Sequence, residues 1–118
     1  MSTAKVNGVS TYYETHGEGP PVLVIHGDFG GNPLGRPEAS ADAIQALDGA
    51  AQVIIYARRN CGKSAYTLDH YGLPDLAADA RALLGSLGID RSIIVGNSMG
   101  GMVALQYALD YPENVSAL

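Results

Sequence analysis

The stretch Ser92–Ala108, "SIIVGNSMGGMVALQYA", places one serine between glycines, directly after an apolar run. Gly96, Ser98 and Gly100 fit the pattern G-x-S-x-G, which is typical of a serine at a sharp turn from a strand into a helix. Strand and helix nearly touch at such a turn, so side chains at the two glycines would collide there. The helix that follows directs its free N–H groups and its positive dipole end at Ser98. The pattern predicts Ser98 as a nucleophile, and the alternative is a turn that only packs a helix onto a strand.

Short apolar runs alternate with segments of helical periodicity along the chain. Buried strands are predicted within residues 20–27, 51–57, 91–96 and 114–118. Helices are predicted from about Ala41 to Leu47, within residues 73–88, and from Ser98 to just before Pro112. The pair Asn7-Gly8 predicts a tight hairpin near the amino end. The fold class is therefore α/β, with a mostly parallel sheet, helices on both faces and an N-terminal β-hairpin.

Three loops follow the predicted parallel strands and should meet at one edge of the sheet. Their sequences are "HGDFGG", "ARRNCGKS" and "GNSMGG". Because parallel sheets carry their functional loops at the carboxyl ends of their strands, we expect the site at this edge.

Bulk composition narrows the class of protein. A chain of 118 residues with 47% apolar and 16% charged residues predicts one globular domain over residues 1–118. A net charge of −5 argues against nucleic acid or an anionic membrane as partner. Cys61 is the single cysteine, so no internal disulfide or multi-cysteine zinc site can form. With no signal-peptide pattern at the start and no apolar run near ~20 residues, we expect a soluble, cytoplasmic protein.

The chain resembles the α/β-hydrolase fold family, in the order of that family's N-terminal half, from about Tyr12 to Leu118. The pair His26-Gly27 resembles the end of the strand that supplies one oxyanion-hole amide, which implies that both residues belong to the active-site loop. The segment "YARRNCGKS" resembles the family loop D-x-R-G-x-G-x-S, and "GNSMGGMVALQYALDYPENVSAL" resembles the nucleophile turn, its helix and the next strand. The matching loop positions are Arg59, Gly62 and Ser64.

The resemblance implies roles for the residues around the serine. Ser98 would be the nucleophile, and the amide of Met99 would be one donor of the oxyanion hole. The second donor would be the amide of Asp28, or that of Phe29 if the loop register differs by one. The resemblance implies a small-molecule substrate carrying an ester, lactone, amide or activated carbon–carbon bond, and no metal or organic cofactor. An aspartate in place of Ser98 would instead imply epoxide or haloalkane chemistry.

Three positions depart from the family pattern. Ala57 stands where the loop usually has aspartate, and Asn60 stands where it usually has glycine. Asparagine adopts left-handed backbone geometry more readily than other non-glycine residues, so Asn60 is tolerable. The carboxylate of Asp28 would oppose negative charge in an oxyanion hole unless it points to solvent.

The triad order serine, acid, histidine leaves the base unaccounted for. No histidine occurs in the 20 residues after Ser98. Asp110 and Glu113 follow the predicted nucleophile helix, where Asp110 should lie roughly 18 Å from Ser98. Of the earlier histidines, His26 is expected to tie loop backbone together rather than to act as a base. The remaining two are predicted in a turn (His16) and a loop (His70).

The sequence therefore predicts that the triad acid and histidine lie outside this chain, which would make it a truncated hydrolase domain, inactive alone. The alternative is a non-catalytic fragment of the same fold that acts as a ligand-binding or interaction module. In either case an open sheet edge favours self-association.

Residues 57–64 also fit a relaxed Walker A spacing, with alanine in place of the first glycine. A phosphate loop needs a helix starting at its Gly-Lys-Ser, whereas "AYTLDHYGLP" shows no helical periodicity. A nucleotide site is therefore disfavoured. A dinucleotide site is disfavoured as well, because Ser98 occupies the second glycine position of G-x-G-x-x-G.

Overall fold

The computed structural model describes residues 2–27 and 44–118. This part of the chain contains six strands and two helices of more than ten residues. The strands are β1 (Ser2–Val6), β2 (Val9–His16), β3 (Pro21–Ile25), β4 (Gln52–Tyr56), β5 (Ser92–Gly96) and β6 (Val115–Ala117). The helices are α1 (Leu73–Ser86) and α2 (Met99–Asp110), and a 3₁₀ turn at Pro112–Asn114 leads into β6.

The six strands form one sheet in the order β1-β2-β4-β3-β5-β6. The pairs β4/β3, β3/β5 and β5/β6 are parallel, whereas β1/β2 and β2/β4 are antiparallel. The predicted mostly parallel α/β fold is confirmed. Since β3 lies between β4 and β5, the carboxyl ends of these three parallel strands lie side by side at the centre of one sheet edge.

The N-terminal hairpin turns at Asn7 and Gly8, whose φ angles are 49° and 79°. Two consecutive positive φ values suit the right-handed twist of a two-residue hairpin, which explains the Asn-Gly pair. The register aligns Val6 with Val9, as the sequence predicts.

Each face of the sheet buries its own apolar cluster. Leu23 and Ile25 of β3 pack with both long helices on one face. The alternate residues Val22 and Val24 belong to a second cluster on the opposite face. Of the helix predicted from about Ala41 to Leu47, residues 41–43 lie outside the described residues, and residues 44–46 are helical. Its residues Ile44 and Leu47 contact the second cluster, so helical structure reaches both faces.

Helix α1 has a hydrogen-bonded acidic residue in its first turn and a glycine just after its last turn. The Asp75 carboxylate accepts a hydrogen bond from the Gly72 N–H at 2.8 Å, as expected for an acidic residue in the first turn. Gly88, with φ 74°, follows the last turn. The predicted apolar side of α1 is buried at Leu76, Ala80, Leu83 and Leu84. Across the described ranges, no helix has both the length and the apolar character that a membrane span requires.

Candidate active site

Ser98 occupies the turn between β5 and α2, in a backbone conformation that few non-glycine residues adopt. Its φ is 55° and its ψ is −119°. The residue is exposed and precedes the first residue of α2, yet its side chain makes no capping hydrogen bond. Strained geometry of this kind persists only where the surroundings enforce it, and it is concentrated at functional sites. The hydroxyl is thus presented to solvent at a helix N-terminus instead of being used to cap it.

The two flanking glycines allow strand, helix and turn to approach one another. A Cβ atom at Gly96 would lie 2.7 Å from the Cα of Gly101 and would overlap the Gly100 carbonyl. One at Gly100 would lie 2.6 Å from the His26 carbonyl oxygen and would overlap that of Ile25. The predicted reason for these glycines is confirmed, because real Cβ atoms do not come so close to backbone. We refer to residues 96–100 as the elbow.

The predicted active-site loop residues His26 and Gly27, the His-Gly turn, lie directly against the elbow. A Cβ atom at Gly27 would be 2.8 Å from the Asn97 carbonyl oxygen and 3.1 Å from the Ser98 Cβ. The buried His26 accepts a hydrogen bond at Nε2 from the main-chain N–H of Arg58, at 3.1 Å. This ring nitrogen therefore ties the end of β3 to the loop after β4, as expected.

Arg58 is the residue of this site that the sequence reasoning missed. Its side chain is buried in the loop after β4, and both ends of its guanidinium donate to carbonyls of the His-Gly turn. Nε donates to the His26 oxygen at 3.3 Å, and a terminal nitrogen donates to the Gly27 oxygen at 3.1 Å. No sequence pattern marked this residue, since its partners are more than 30 positions away and are main-chain atoms.

The next residue, Arg59, forms a two-pronged ion pair with Asp79 of α1. The distances are 2.7 Å from Nε to Oδ2 and 2.8 Å from the terminal nitrogen to Oδ1. Asn7 donates to the same carboxylate at 3.0 Å, and the guanidinium lies 5.4 Å from the ring centroid of Tyr71. The hydrogen bond with Asp79 raises the pKa of Arg59 above its usual value. A charged residue on the apolar side of α1 was the signal that could have revealed Asp79.

The rest of the loop after β4 is shaped by hydrogen bonds within the fold. Asn60 has a φ of 63°, so asparagine does adopt the left-handed geometry expected of it. The Ser64 hydroxyl donates to the Ala57 carbonyl at 2.6 Å and accepts from the Tyr12 N–H at 2.9 Å. No helix begins at Ser64, since the next helical residue is Leu73. The absence of a phosphate-loop helix at this position agrees with the prediction.

Of the three candidate oxyanion-hole residues, Met99 lies in the described part of the chain. Met99 is the first residue of α2, so its amide belongs to the helix N-terminus beside Ser98. Asp28 and Phe29 both lie outside the described residues. The described part of the chain contains no group of three or more His, Cys, Asp and Glu side chains that could hold a metal ion.

The other acidic and histidine residues considered as triad members lie on other elements of the fold. Asp110 ends α2 and Glu113 lies in the 3₁₀ turn beyond it, at the opposite end of the helix from Ser98. His16 is the last residue of β2 and not a turn residue, because its backbone pairs with β4 and its Nε2 lies 2.8 Å from Glu14 Oε1. His70 is exposed in a loop, as predicted.

An open groove of about 510 Å³ lies beside Ser98, between α2 and β5. Its walls are mainly apolar, and Val95, Met102 and Leu105 are 42%, 52% and 58% exposed. Among the described strands, β6 pairs with β5 only through Ser92 and Ile93, so the groove opens where that pairing stops. Apolar surface therefore continues from the serine to the sheet edge.

A model of the family described as the alpha/beta hydrolase fold matches residues 20–118. The chain belongs to this family. Among its relatives is a putative carbamate hydrolase, RutD, of Azorhizobium caulinodans, which is 33% identical over 118 residues, covering 100% of this chain and 43% of that protein. The predicted family resemblance is confirmed.

Solved structures of alpha/beta hydrolases superpose on the chain. An epoxide hydrolase from Vigna radiata gives a TM-score of 0.87 at 27% identity and covers 98% of this chain but 37% of its own. A meta-cleavage product hydrolase from Pseudomonas fluorescens gives 0.84 at 30% identity, with 98% and 42% covered. The chain thus spans about two-fifths of the length of the relatives it matches.

Proposed function

We propose that this alpha/beta hydrolase chain carries the nucleophile of a serine hydrolase, with Ser98 in that role. The observation that carries the proposal is the Ser98 backbone, held at φ 55° between two glycines that permit no side chain. This strain presents an uncapped hydroxyl at the N-terminus of α2, which is the arrangement that nucleophilic attack on a carbonyl requires.

The chemistry follows from this geometry. The Ser98 oxygen bonds to the carbonyl carbon while its proton passes to a base, and the carbonyl π electrons move onto the oxygen. The donors to that oxyanion are proposed to be the Met99 amide and the amide of Asp28 (or of Phe29), aided by the dipole of α2. The leaving group departs with the proton, and water then releases the acyl group by the same route.

The identity of the nucleophile favours acyl transfer over epoxide opening. The chain shares its fold with an epoxide hydrolase, but position 98 holds serine and not the aspartate that such chemistry implies. Similarity to a putative carbamate hydrolase and to a meta-cleavage product hydrolase supports an ester, lactone, amide or activated carbon–carbon bond as substrate. We also propose a cytoplasmic location, because a chain with a single cysteine cannot form the internal disulfides that are common in oxidising compartments.

The proton acceptor is proposed to be a histidine, oriented by an acid, outside these 118 residues. No histidine follows Ser98, and His26 Nε2 is occupied by Arg58. The relatives are more than twice as long as the part this chain covers, which leaves room for both groups.

The proposal is tested by joining residues 1–118 to the part of the Azorhizobium relative that the chain does not cover. We expect this chimera to react with a fluorophosphonate probe, because the added part supplies the base. Labelling is followed by gel fluorescence and mass spectrometry of the modified peptide. The 118-residue chain alone should be labelled far more slowly.

Two variants of the chimera make this result specific. Ser98→Ala should lose all labelling, whereas Ser86→Ala, at the end of α1, should keep it. Labelling that survives Ser98→Ala, or a folded chimera that never reacts, would contradict the proposal. Rapid labelling of the chain alone would show that it contains its own base.

We also propose that the 118-residue chain self-associates through its exposed apolar surface at the groove, the edge of β6 included. Leu105→Glu places a charge on that surface and should shift the chain to monomer in size-exclusion chromatography with light scattering. Leu68→Glu, at a residue 104% exposed in the loop after β4, adds the same charge elsewhere and should leave the oligomer unchanged. A monomeric wild-type chain with cooperative melting would contradict this proposal and would argue against a truncated domain.

A further inference from the structure

We propose that the groove beside Ser98 is a docking site for a separate polypeptide, one strand of which adds to the sheet parallel to β5. The occupant is the part of an alpha/beta hydrolase that this chain does not cover, bound in trans. The inference rests on the proposed function in one respect, because the docked polypeptide also brings the base.

The carboxyl half of β5 is paired with a strand on one of its two sides. From Ile93 to Gly96 it pairs with β3, whereas the pairing with β6 stops at Ile93. Among the described strands, residues 94–96 therefore have a neighbour on the β3 side alone. Such an open edge is a template for a further strand, and at ~3.3 Å per residue it extends for about 10 Å.

This open edge is apolar on both faces of the sheet. Val95 lies opposite Val24, which belongs to the second cluster, yet Val95 is 42% exposed. Helix α2 packs on the opposite face and carries an exposed apolar stripe at spacings of three and four residues: Met102, Leu105 and Leu109. Strands are apolar on both faces when they lie inside a parallel sheet. The end of β5 therefore has the character of an interior strand.

The opposite edge of the sheet differs in its side chains. Strand β1 carries exposed Thr3 and Lys5, and a lysine on an edge strand opposes the addition of another strand. The described residues that line the groove include no charged side chain, and Ser98 is the one hydroxyl among them. This contrast favours a strand of another polypeptide as the neighbour of residues 94–96.

A single added strand fits this edge better than a second copy of the chain does. Strand β6 lies beside the amino half of β5, and Leu118, 60% exposed, lines the groove. Two copies would each bring a β6 into the contact, whereas a single strand can enter beside residues 94–96 in the parallel direction that β6 already has. This chain covers 43% of the Azorhizobium relative, so a partner of hydrolase sequence is long enough to supply both the strand and the base.

Docking in trans is tested with the chimera, carrying a protease site between Leu118 and the part taken from the Azorhizobium relative. The site is cut after the chimera has folded, and the pieces are followed by size-exclusion chromatography with light scattering and by fluorophosphonate labelling. We expect them to stay together as a one-to-one complex that keeps the labelling of the uncut chimera. Leu105→Glu should weaken this complex by about tenfold or more, because docking would bury the added charge. Dilution of the cut complex measures its dissociation constant.

Leu68→Glu is the matched control, because it adds the same charge outside the groove and should leave the dissociation constant unchanged. Val95→Lys, which gives this edge a lysine as in β1, provides the measurement if Leu105→Glu prevents folding. Pieces that separate after cutting, or that bind equally well with Leu105→Glu, would overturn the docking site. So would a complex in which two copies of the 118-residue chain stay paired. A one-to-one complex that is never labelled would count against the proposed function and would leave the docking site supported.

Discussion

Gly100→Ala should leave the chain largely unfolded. The added methyl would lie 2.6 Å from the His26 carbonyl oxygen and overlap that of Ile25, both backbone atoms of the central β3 region. Relief requires α2 to move away from the sheet, which breaks the apolar cluster that both helices share with β3. A loss of at least about 4 kcal/mol is expected, close to the whole stability of a small domain. Urea unfolding followed by circular dichroism at low protein concentration measures it.

The neighbouring Gly101 provides the matched control. A Cβ there would lie 3.6 Å from the Gly96 carbonyl oxygen, which is an ordinary contact. Gly101→Ala should therefore be neutral or should stabilise the chain by up to about 1 kcal/mol, since alanine favours the helix. Equal effects of the two substitutions would show that strand and helix are not in close contact at the elbow.

Breaking the Arg59–Asp79 pair should have the second largest effect. Both side chains are nearly buried, at 11% and 5% exposed, so removing either partner leaves a charge without compensation. Arg59→Met and Asp79→Leu should each cost about 3–5 kcal/mol in the free energy of unfolding. The double variant should recover a large part of that loss, because no uncompensated charge is left. A double-mutant cycle from urea unfolding gives the coupling energy.

Asp110 serves as the control carboxylate in this experiment. It accepts hydrogen bonds from Gln106 on the exposed surface of α2, at 3.0 and 3.1 Å. Asp110→Leu should change the free energy of unfolding by no more than about 0.5 kcal/mol, as is usual for exposed polar groups. Additive losses from Arg59→Met and Asp79→Leu would contradict a direct interaction between them.

The elements that the sequence predicted are those with a local cause. The Asn7-Gly8 turn follows from two positive φ values, and the strands follow from short apolar runs whose alternate residues serve two faces. The elbow is local only in part, because Gly96 is needed by contacts within the turn, whereas Gly100 is needed by the Ile25 and His26 carbonyls of the neighbouring strand end. Periodicity and glycine spacing report such constraints directly.

The residues that sequence reasoning missed depend on contacts between distant segments. Arg58 donates to carbonyls that any residue type could present, so nothing in the sequence of its partners identifies them. Asp79 is recognisable only as a charge on an apolar helix side, and its partners Arg59 and Asn7 come from two separate loops. Asp28 and Phe29, the second oxyanion candidates, stay predictions.

The sequence by itself determined that Ser98 stands between two glycines, where an apolar run meets a segment of helical periodicity. It also determined that no histidine follows Ser98 within the 118 residues. Folding decided which distant groups lie beside the elbow. The contacts of the Arg58 guanidinium with the His26 and Gly27 carbonyls depend on how the end of β3 packs against the loop after β4, and not on spacing along the chain. Membership of the alpha/beta hydrolase family is shown at both levels, and the role of Ser98 as its nucleophile is the proposal built on them. Free rotation of the Ser98 backbone into ordinary helical or extended angles would remove the basis for that proposal.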